Sequence, residues 1–233
     1  GSYQEEGSKK ALVYGGTVED VKLSDLRIVA YDGLEGGVYV DGGLCEIDNA
    51  TISLTGIGEE LGGGYSGVCA ANGADVTVRG SSIFTQGARK SATSAEDNSV
   101  LRVYDSTLVS FGQPYGAGVE QVKQQGMDMM SPPVHLEIEG NSRTHVTMSN
   151  SLSYFYNCRV ICDGWAALST DMSQGYVYLE ANDCHVTATK SGYGTYADTE
   201  CHDLFNRCRF DVANMFAILA GECDVTANDC ISD

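Results

Sequence analysis

The chain has 233 residues with 14 basic and 32 acidic side chains, a formal charge of −18, which excludes electrostatic attachment to nucleic acid or to an anionic membrane surface. No apolar run approaches the ~18 residues of a spanning helix, so the chain reads as soluble, without membrane insertion. Twenty-eight glycines against three prolines, with many Val, Thr and Tyr, favour strands separated by tight turns over long helices.

Gly1-Ser2 has the look of an expression scar, and residues 1–16 read as a segment ahead of the domain, so a removed natural leader is not excluded. From residue 17 onward a short unit recurs. Leu26-Arg27-Ile28 is its first copy, followed by Ala50-Thr51-Ile52, Ser81-Ser82-Ile83, Ser106-Thr107-Leu108, Cys158-Arg159-Val160, Cys184-His185-Val186, Cys208-Arg209-Phe210 and Cys230-Ile231. From Ala50 to Cys208 each copy begins with a small residue, then a polar one, then an aliphatic or aromatic one. The steps between leading positions are 24, 31, 25, 52, 26, 24 and 22 residues, the 52 being read as two repeats with an irregular copy at 132–148. A period near 24 residues, holding short strands and no helix, is what a parallel β-solenoid requires. Leucine-rich repeats share the period, but their recurring leucine ladder is missing.

Three insertions interrupt the period. After the equivalent turn glycines Gly56, Gly87 and Gly112 come a Gly-rich acidic loop at 57–66, a polar loop at 88–98 and a long excursion at 113–133. All three are expected to leave the stack at one corner, which is how repeat proteins build a cleft. The excursion carries Tyr115, a helix-like stretch at 119–125, and Met127, Met129 and Met130. These side chains either close over a ligand, with Tyr115 as a lid contact, or cap the core. The expected organisation is an N-terminal segment, 1–16, and one domain, 17–233.

Alternate side chains of a strand face opposite sides, so the aliphatic position and the small residue two before it both point inward. Ile52, Ile83, Leu108, Val160, Val186, Phe210 and Ile231 are therefore expected to stack beside Ala50, Ser81, Ser106, Cys158, Cys184, Cys208 and Cys230. Nine cysteines, an odd number without a Cys-x-x-Cys pair, imply reduced thiols packed as small hydrophobes and no zinc site. Free thiols suit the cytoplasm, whereas a removed leader would mean secretion or the cell surface, so the compartment stays open. Asn182, Asn206 and Asn228, each two residues before a ladder cysteine, are expected to form an asparagine ladder with left-handed turn geometry.

The residue between the two inward columns faces solvent. That places Arg159, His185 and Arg209 about 4.8 Å apart on successive repeats of an acidic protein, with Asp211 at the next outward position and Asp163 at the following turn. Crowded cations are offset either by neighbouring carboxylates or by a bound anion. Tyr154, Tyr156, Tyr176 and Tyr178 also point outward, as sugar-stacking surfaces or as ordinary strand formers. His135, His145 and His202 belong to no metal signature, and no Gly-x-Ser-x-Gly elbow occurs.

The period and stacked columns, over most of residues 17–233, resemble the right-handed parallel β-helix superfamily of pectate lyases and polygalacturonases. The resemblance implies an all-β fold: a single-stranded right-handed parallel β-helix with about 24 residues per coil. No catalytic residue carries over, because the Asn-Thr-Asp, paired-Asp, Gly-His-Gly and Arg-Ile-Lys signatures and the usual pectate lyase motifs do not occur. The leading expectation is an enzyme performing lyase, isomerase or hydrolase-type acid–base chemistry, without cofactor or metal, on a sugar-like or other hydroxylated, preferentially anionic substrate. In it His185 is the general acid or base, Arg159 and Arg209 stabilise charge, Asp211 or Asp163 orients the histidine, and Tyr115, Tyr154 and Tyr156 contact substrate. The rival is a non-catalytic carbohydrate-binding or adhesive module of a surface protein, with the still-repeating unit 223–233 as an uncapped end suited to homo-oligomer formation. Calcium-assisted recognition of acidic polysaccharide ranks below both, since Glu59-Glu60 lacks a calcium-loop motif.

Overall fold

The computed structural model describes residues 2–3, 13–15, 21–31, 36–58, 62–112, 132, 134–171 and 174–233. Among these the fold is all-β, with long parallel sheets, two 3-10 turns at Gly63–Tyr65 and Val134–Leu136, and no α-helix. A leading sheet runs from Val21–Ser24 through Leu44–Asp48, Asp75–Arg79, Val100–Tyr104, Leu152–Tyr156, Val177–Asn182 and Cys201–Asn206 to Asp224–Asn228. A following sheet runs from Arg27–Ala30 through Thr51–Thr55, Ser82–Gln86, Thr107–Phe111, Arg159–Cys162, His185–Ala188 and Arg209–Val212 to Ile231–Ser232. A closing sheet holds Ser2–Tyr3, Val13–Gly15, Val38–Asp41, Val68–Ala71, Thr93–Ala95 and His145–Thr147. Bridges from Thr147 to Thr170 and from Ala166 to Tyr193 prolong it toward the pair Tyr193–Asp198 and Met215–Ala220. Ser2–Tyr3 pairs antiparallel with Val13–Gly15, and the other strand pairs are parallel. The chain visits the three sheets in turn, an order compatible with a parallel solenoid.

Register follows the sequence period. Ile28, Ile52, Ile83, Leu108, Val160, Val186 and Phe210 lie side by side on consecutive strands and are buried. Two expectations are corrected here. The 52-residue step is a single repeat, since Thr107 pairs directly with Arg159 and Val100 with Leu152; the extra length lies between Phe111 and His145. Ile231 pairs with Arg209, not Phe210, and is 58% exposed, so Ser232 takes the inward place. A third finding concerns the polar loop at 88–98, in which Thr93–Ala95 is itself a strand of the closing sheet.

The small inward column works through hydrogen bonds. Ser81 Oγ donates to the Arg79 carbonyl (2.9 Å) and accepts the Ala50 N–H (3.0 Å); Ser106 Oγ does the same for Tyr104 (2.7 Å) and Ser81 (3.0 Å). Cysteine replaces serine in later repeats. Cys184 Sγ donates to the Asn182 carbonyl (3.3 Å) and accepts the Cys158 N–H (3.4 Å), and Cys230 serves Asn228 and Cys208 likewise. Hydrogen bonds to Cys158 and Cys208, together with burial, push the Cys184 thiol far above its ordinary range, so it stays a donor. All nine cysteines are free.

The asparagine ladder is present, with Asn206 Nδ2 donating to Asn182 Oδ1 and Asn228 Nδ2 to Asn206 Oδ1, each at 2.9 Å. The left-handed residue is the one after each asparagine: Asp183 (φ 55°), Arg207 (φ 53°) and Asp229 (φ 53°), continuing a column with Asp25, Asn49, Gly80, Asp105 and Asn157. The ladder asparagines end their strands, and the corner is turned one position later.

The interior is not wholly apolar. His145 lies within 2.8 Å of Thr93 Oγ1 and 2.7 Å of Thr147 Oγ1, and Thr147 donates to Ser153 Oγ (2.8 Å). Further along, Asp203 accepts hydrogen bonds from Thr170 (2.8 Å) and Thr195 (2.5 Å). Burial pushes the His145 imidazole down to about 3 and the Asp203 carboxyl up to about 7.

Candidate functional site

Arg159, His185 and Arg209 begin three consecutive strands of the following sheet and lie in register on its outer face, as the period predicts. His185 Nε2 sits 2.5 Å from Asp211 Oδ2, Asp211 Oδ1 accepts Arg209 Nε at 3.0 Å, and Arg209 Nη2 reaches Asp233 Oδ2 at 2.5 Å. The hydrogen bond from His185 and the Arg209 guanidinium hold the Asp211 carboxyl below its ordinary range. Arg159 is exposed and has no ion-pair partner among the described residues. His185, Asp211, Arg209 and Asp233 thus come together as one hydrogen-bonded chain ending at Asp233, with Arg159 outside it.

The same kind of pairing recurs elsewhere on the surface. Lys22 pairs with Asp48 at 2.8 Å, Arg207 with Asp183 at 2.7 Å, Arg102 with Asp75, and His202 with Asp224, in each case joining neighbouring repeats. Among the described residues His185–Asp211 is thus one of two histidine–aspartate pairs that join neighbouring repeats, diagonal where His202–Asp224 is directly opposed. Exposed pairs of this sort contribute little to stability, because water screens them and ordering two long side chains offsets their attraction.

Asp163 lies four residues from Arg159, about 13 Å along the strand direction, at the corner where the following sheet gives way to the closing one. There a cleft of about 460 Å³ is lined by Gln86, Phe111, Gly112, Asn141, Asp163 and Lys190, with Glu139 and Ser191 on its wall. Both Asp163 oxygens are engaged: Oδ1 accepts the Gly112 N–H (2.8 Å) and Oδ2 faces Lys190 Nζ (3.1 Å). The Glu139 N–H donates to Ser191 Oγ (2.8 Å), which ties the chain returning from the long insertion to the cleft wall. Close backbone approach shapes the floor, where a Cβ on Gly164 would meet the Glu139 carbonyl at 2.7 Å.

Tyr154 and Tyr156 stand on a different face, outward on the leading sheet. Each ring is partly covered by neighbours. Tyr156 stacks on Tyr104 at 4.9 Å, whose other side meets the Arg79 guanidinium at 5.6 Å, and Tyr154 lies between Tyr178 (5.8 Å) and Arg102 (5.9 Å). Tyr115, the stretch 119–125, Met127, Met129, Met130 and Glu59-Glu60 lie outside the described residues.

Of the cleft residues, Asp163 was singled out by sequence; Lys190, Glu139, Asn141, Gln86, Ser191 and Phe111 were not. The turn glycine Gly112 and the insertion after it mark the corner, and Lys190 follows Asp163 by one repeat step of 27 residues, but nothing in the spacing links 139–141 to it. Behind the closing sheet, Arg143 is buried against Asp171, with its guanidinium over the Trp165 ring at 4.4 Å and the Tyr196 ring at 5.7 Å. Among the described residues there is no group of three His, Cys, Asp or Glu placed to hold a metal ion, and no helix long and apolar enough to cross a membrane. Comparison with known proteins returns no matching family model, no matching curated protein and no matching solved structure.

Proposed function

We propose that the chain is a single-stranded right-handed parallel β-helix, of the pectate lyase-like architecture, that holds a sugar-like hydroxylated ligand in the corner cleft beside Asp163. The hand rests on the strand twist that makes nearly all parallel crossover connections right-handed. The observation that carries the function is the cleft itself. It combines an aromatic side chain, Phe111, with amide, hydroxyl and charged groups from four successive repeats, the mixture that a polyhydroxylated ring requires. Its rigid walls follow from repeat stacking, so little ordering entropy opposes binding.

Isothermal titration with oligosaccharides of differing charge tests this. Lys190→Ala and Gln86→Ala should each weaken binding about three- to tenfold, the loss of one hydrogen bond, with an unchanged melting temperature. Absence of binding by the unaltered protein, or affinities indifferent to both substitutions, overturns the proposal.

A second function is favoured by one specific contact, the 2.5 Å approach of His185 to Asp211. A base held by a carboxylate beside the cation Arg159 is the arrangement for acid–base chemistry on an anionic hydroxylated substrate. Replacing His185 with Ala should then abolish turnover while shifting stability by less than about 1 kcal/mol. Retained turnover removes this function and leaves the cleft as a binding site of a non-catalytic module.

A further inference from the structure

We infer that the corner cleft takes a sugar bearing an amine, with Glu139 accepting its ammonium group; this rests on the cleft being a sugar site. The charged side chains lining the cleft are Asp163, Lys190 and Glu139. Asp163 and Lys190 neutralise one another at 3.1 Å, and the second Asp163 oxygen is already occupied by the Gly112 N–H. Glu139 is exposed and has no ion-pair partner among the described residues. Its position is nonetheless set: its N–H is bound to Ser191, and the carbonyl of Glu137, two residues earlier, accepts Asn214 Nδ2 at 3.3 Å and Ser191 Oγ at 3.5 Å.

The described lining thus carries one uncompensated negative charge, in a chain of formal charge −18. A carboxylated sugar meets repulsion at contact and at long range. An ammonium meets attraction at both, while the ring hydroxyls retain Gln86, Asn141 and Lys190 as partners. A single exposed charge pair at contact changes affinity about fivefold, and salt screens it within about 10 Å at 0.1 M.

The test measures binding of a glucosamine hexamer, its N-acetylated counterpart and an oligogalacturonate of equal length under mildly acidic conditions, where the amines are charged. The glucosamine hexamer should bind the unaltered protein about fivefold more tightly than the acetylated one, with the gap closing at high salt. Glu139→Gln should narrow the gap and leave the acetylated hexamer unaffected, whereas Glu46→Gln on the leading sheet, which removes the same unit of net charge away from the cleft, should preserve it. Equal binding of the two hexamers, a gap that narrows no more with Glu139→Gln than with Glu46→Gln, or tightest binding of the oligogalacturonate overturns the amine preference while the cleft stands as a sugar site. Binding of none of the three overturns the sugar site itself and the preference with it.

Discussion

At the inward corners held by Ser81, Ser106, Cys184 and Cys230, between the leading and following sheets, one hydroxyl or thiol closes two backbone gaps. It donates to the carbonyl two residues back and accepts an N–H from the preceding repeat, as Ser106 does for Tyr104 and Ser81. Ser106→Ala would leave the Ser81 N–H buried and unpaired, at a cost of about 1–3 kcal/mol by denaturant titration. Cys184→Ser keeps both bonds and should cost less than Cys184→Ala. A recurring small residue was visible in the sequence, but its work was not: packing alone predicts that Ala50, Ser81 and Cys158 are interchangeable, and only the partners distinguish them. The asparagines were legible for a similar reason, since an amide can both donate to and accept from its own kind one repeat away. The assignment of left-handed geometry to the next residue depended on where the strand hydrogen bonds stop.

Strands are held in stacks by register, and the corners between them decide what can be inserted. Gly56 and Gly87 meet so closely at the insertion corner that a Cβ on Gly87 would lie 1.6 Å from the Gly56 carbonyl, at φ 148°. Gly80, at φ 56°, has open space around it. Gly87→Ala should therefore cost about 3 kcal/mol or more, and Gly80→Ala about 1 kcal/mol, in parallel urea titrations. Similar losses at the two positions would refute the tight corner. The 52-residue step shows how an element can mislead: counting residues divides it into two repeats, whereas hydrogen bonding carries Thr107 straight to Arg159. An insertion costs little extra loop entropy as it lengthens, so length says little about how many times the chain crosses the stack.

For the whole molecule, the buried Asp203 couples stability to pH. Its carboxyl titrates at about 7 in the folded chain against an ordinary value of 3.8, so the folded state binds the proton more tightly than the unfolded one. Its contribution is fully present below about pH 4 and is lost as pH rises through 7. The stability of Asp203→Asn relative to the unaltered chain should thus grow between pH 4 and 7 and level off above, reaching on the order of 3 kcal/mol. A difference that does not change with pH would show that Asp203 is not held in a dry interior. His145 acts in the opposite sense, losing stability as pH falls below its ordinary 6.5, and cancels from this comparison because both proteins retain it.

The sequence by itself determined the period, the all-β class and the in-register columns, including the row of Arg159, His185 and Arg209. These features are local and repeated: strand alternation sorts each residue inward or outward, and every copy reinforces the same alignment. Tertiary structure alone decided what the columns are used for. It paired Arg209 and His185 with carboxylates, partly covered the tyrosine rings with their neighbours, and assembled the cleft from residues 86, 111–112, 139–141, 163–164 and 190–191. The repeat itself lines up Gln86, Phe111, Asp163 and Lys190, at steps of 25, 52 and 27 residues; what no period gives is Glu139 and Asn141, which reach the cleft through long-range packing rather than through the repeat.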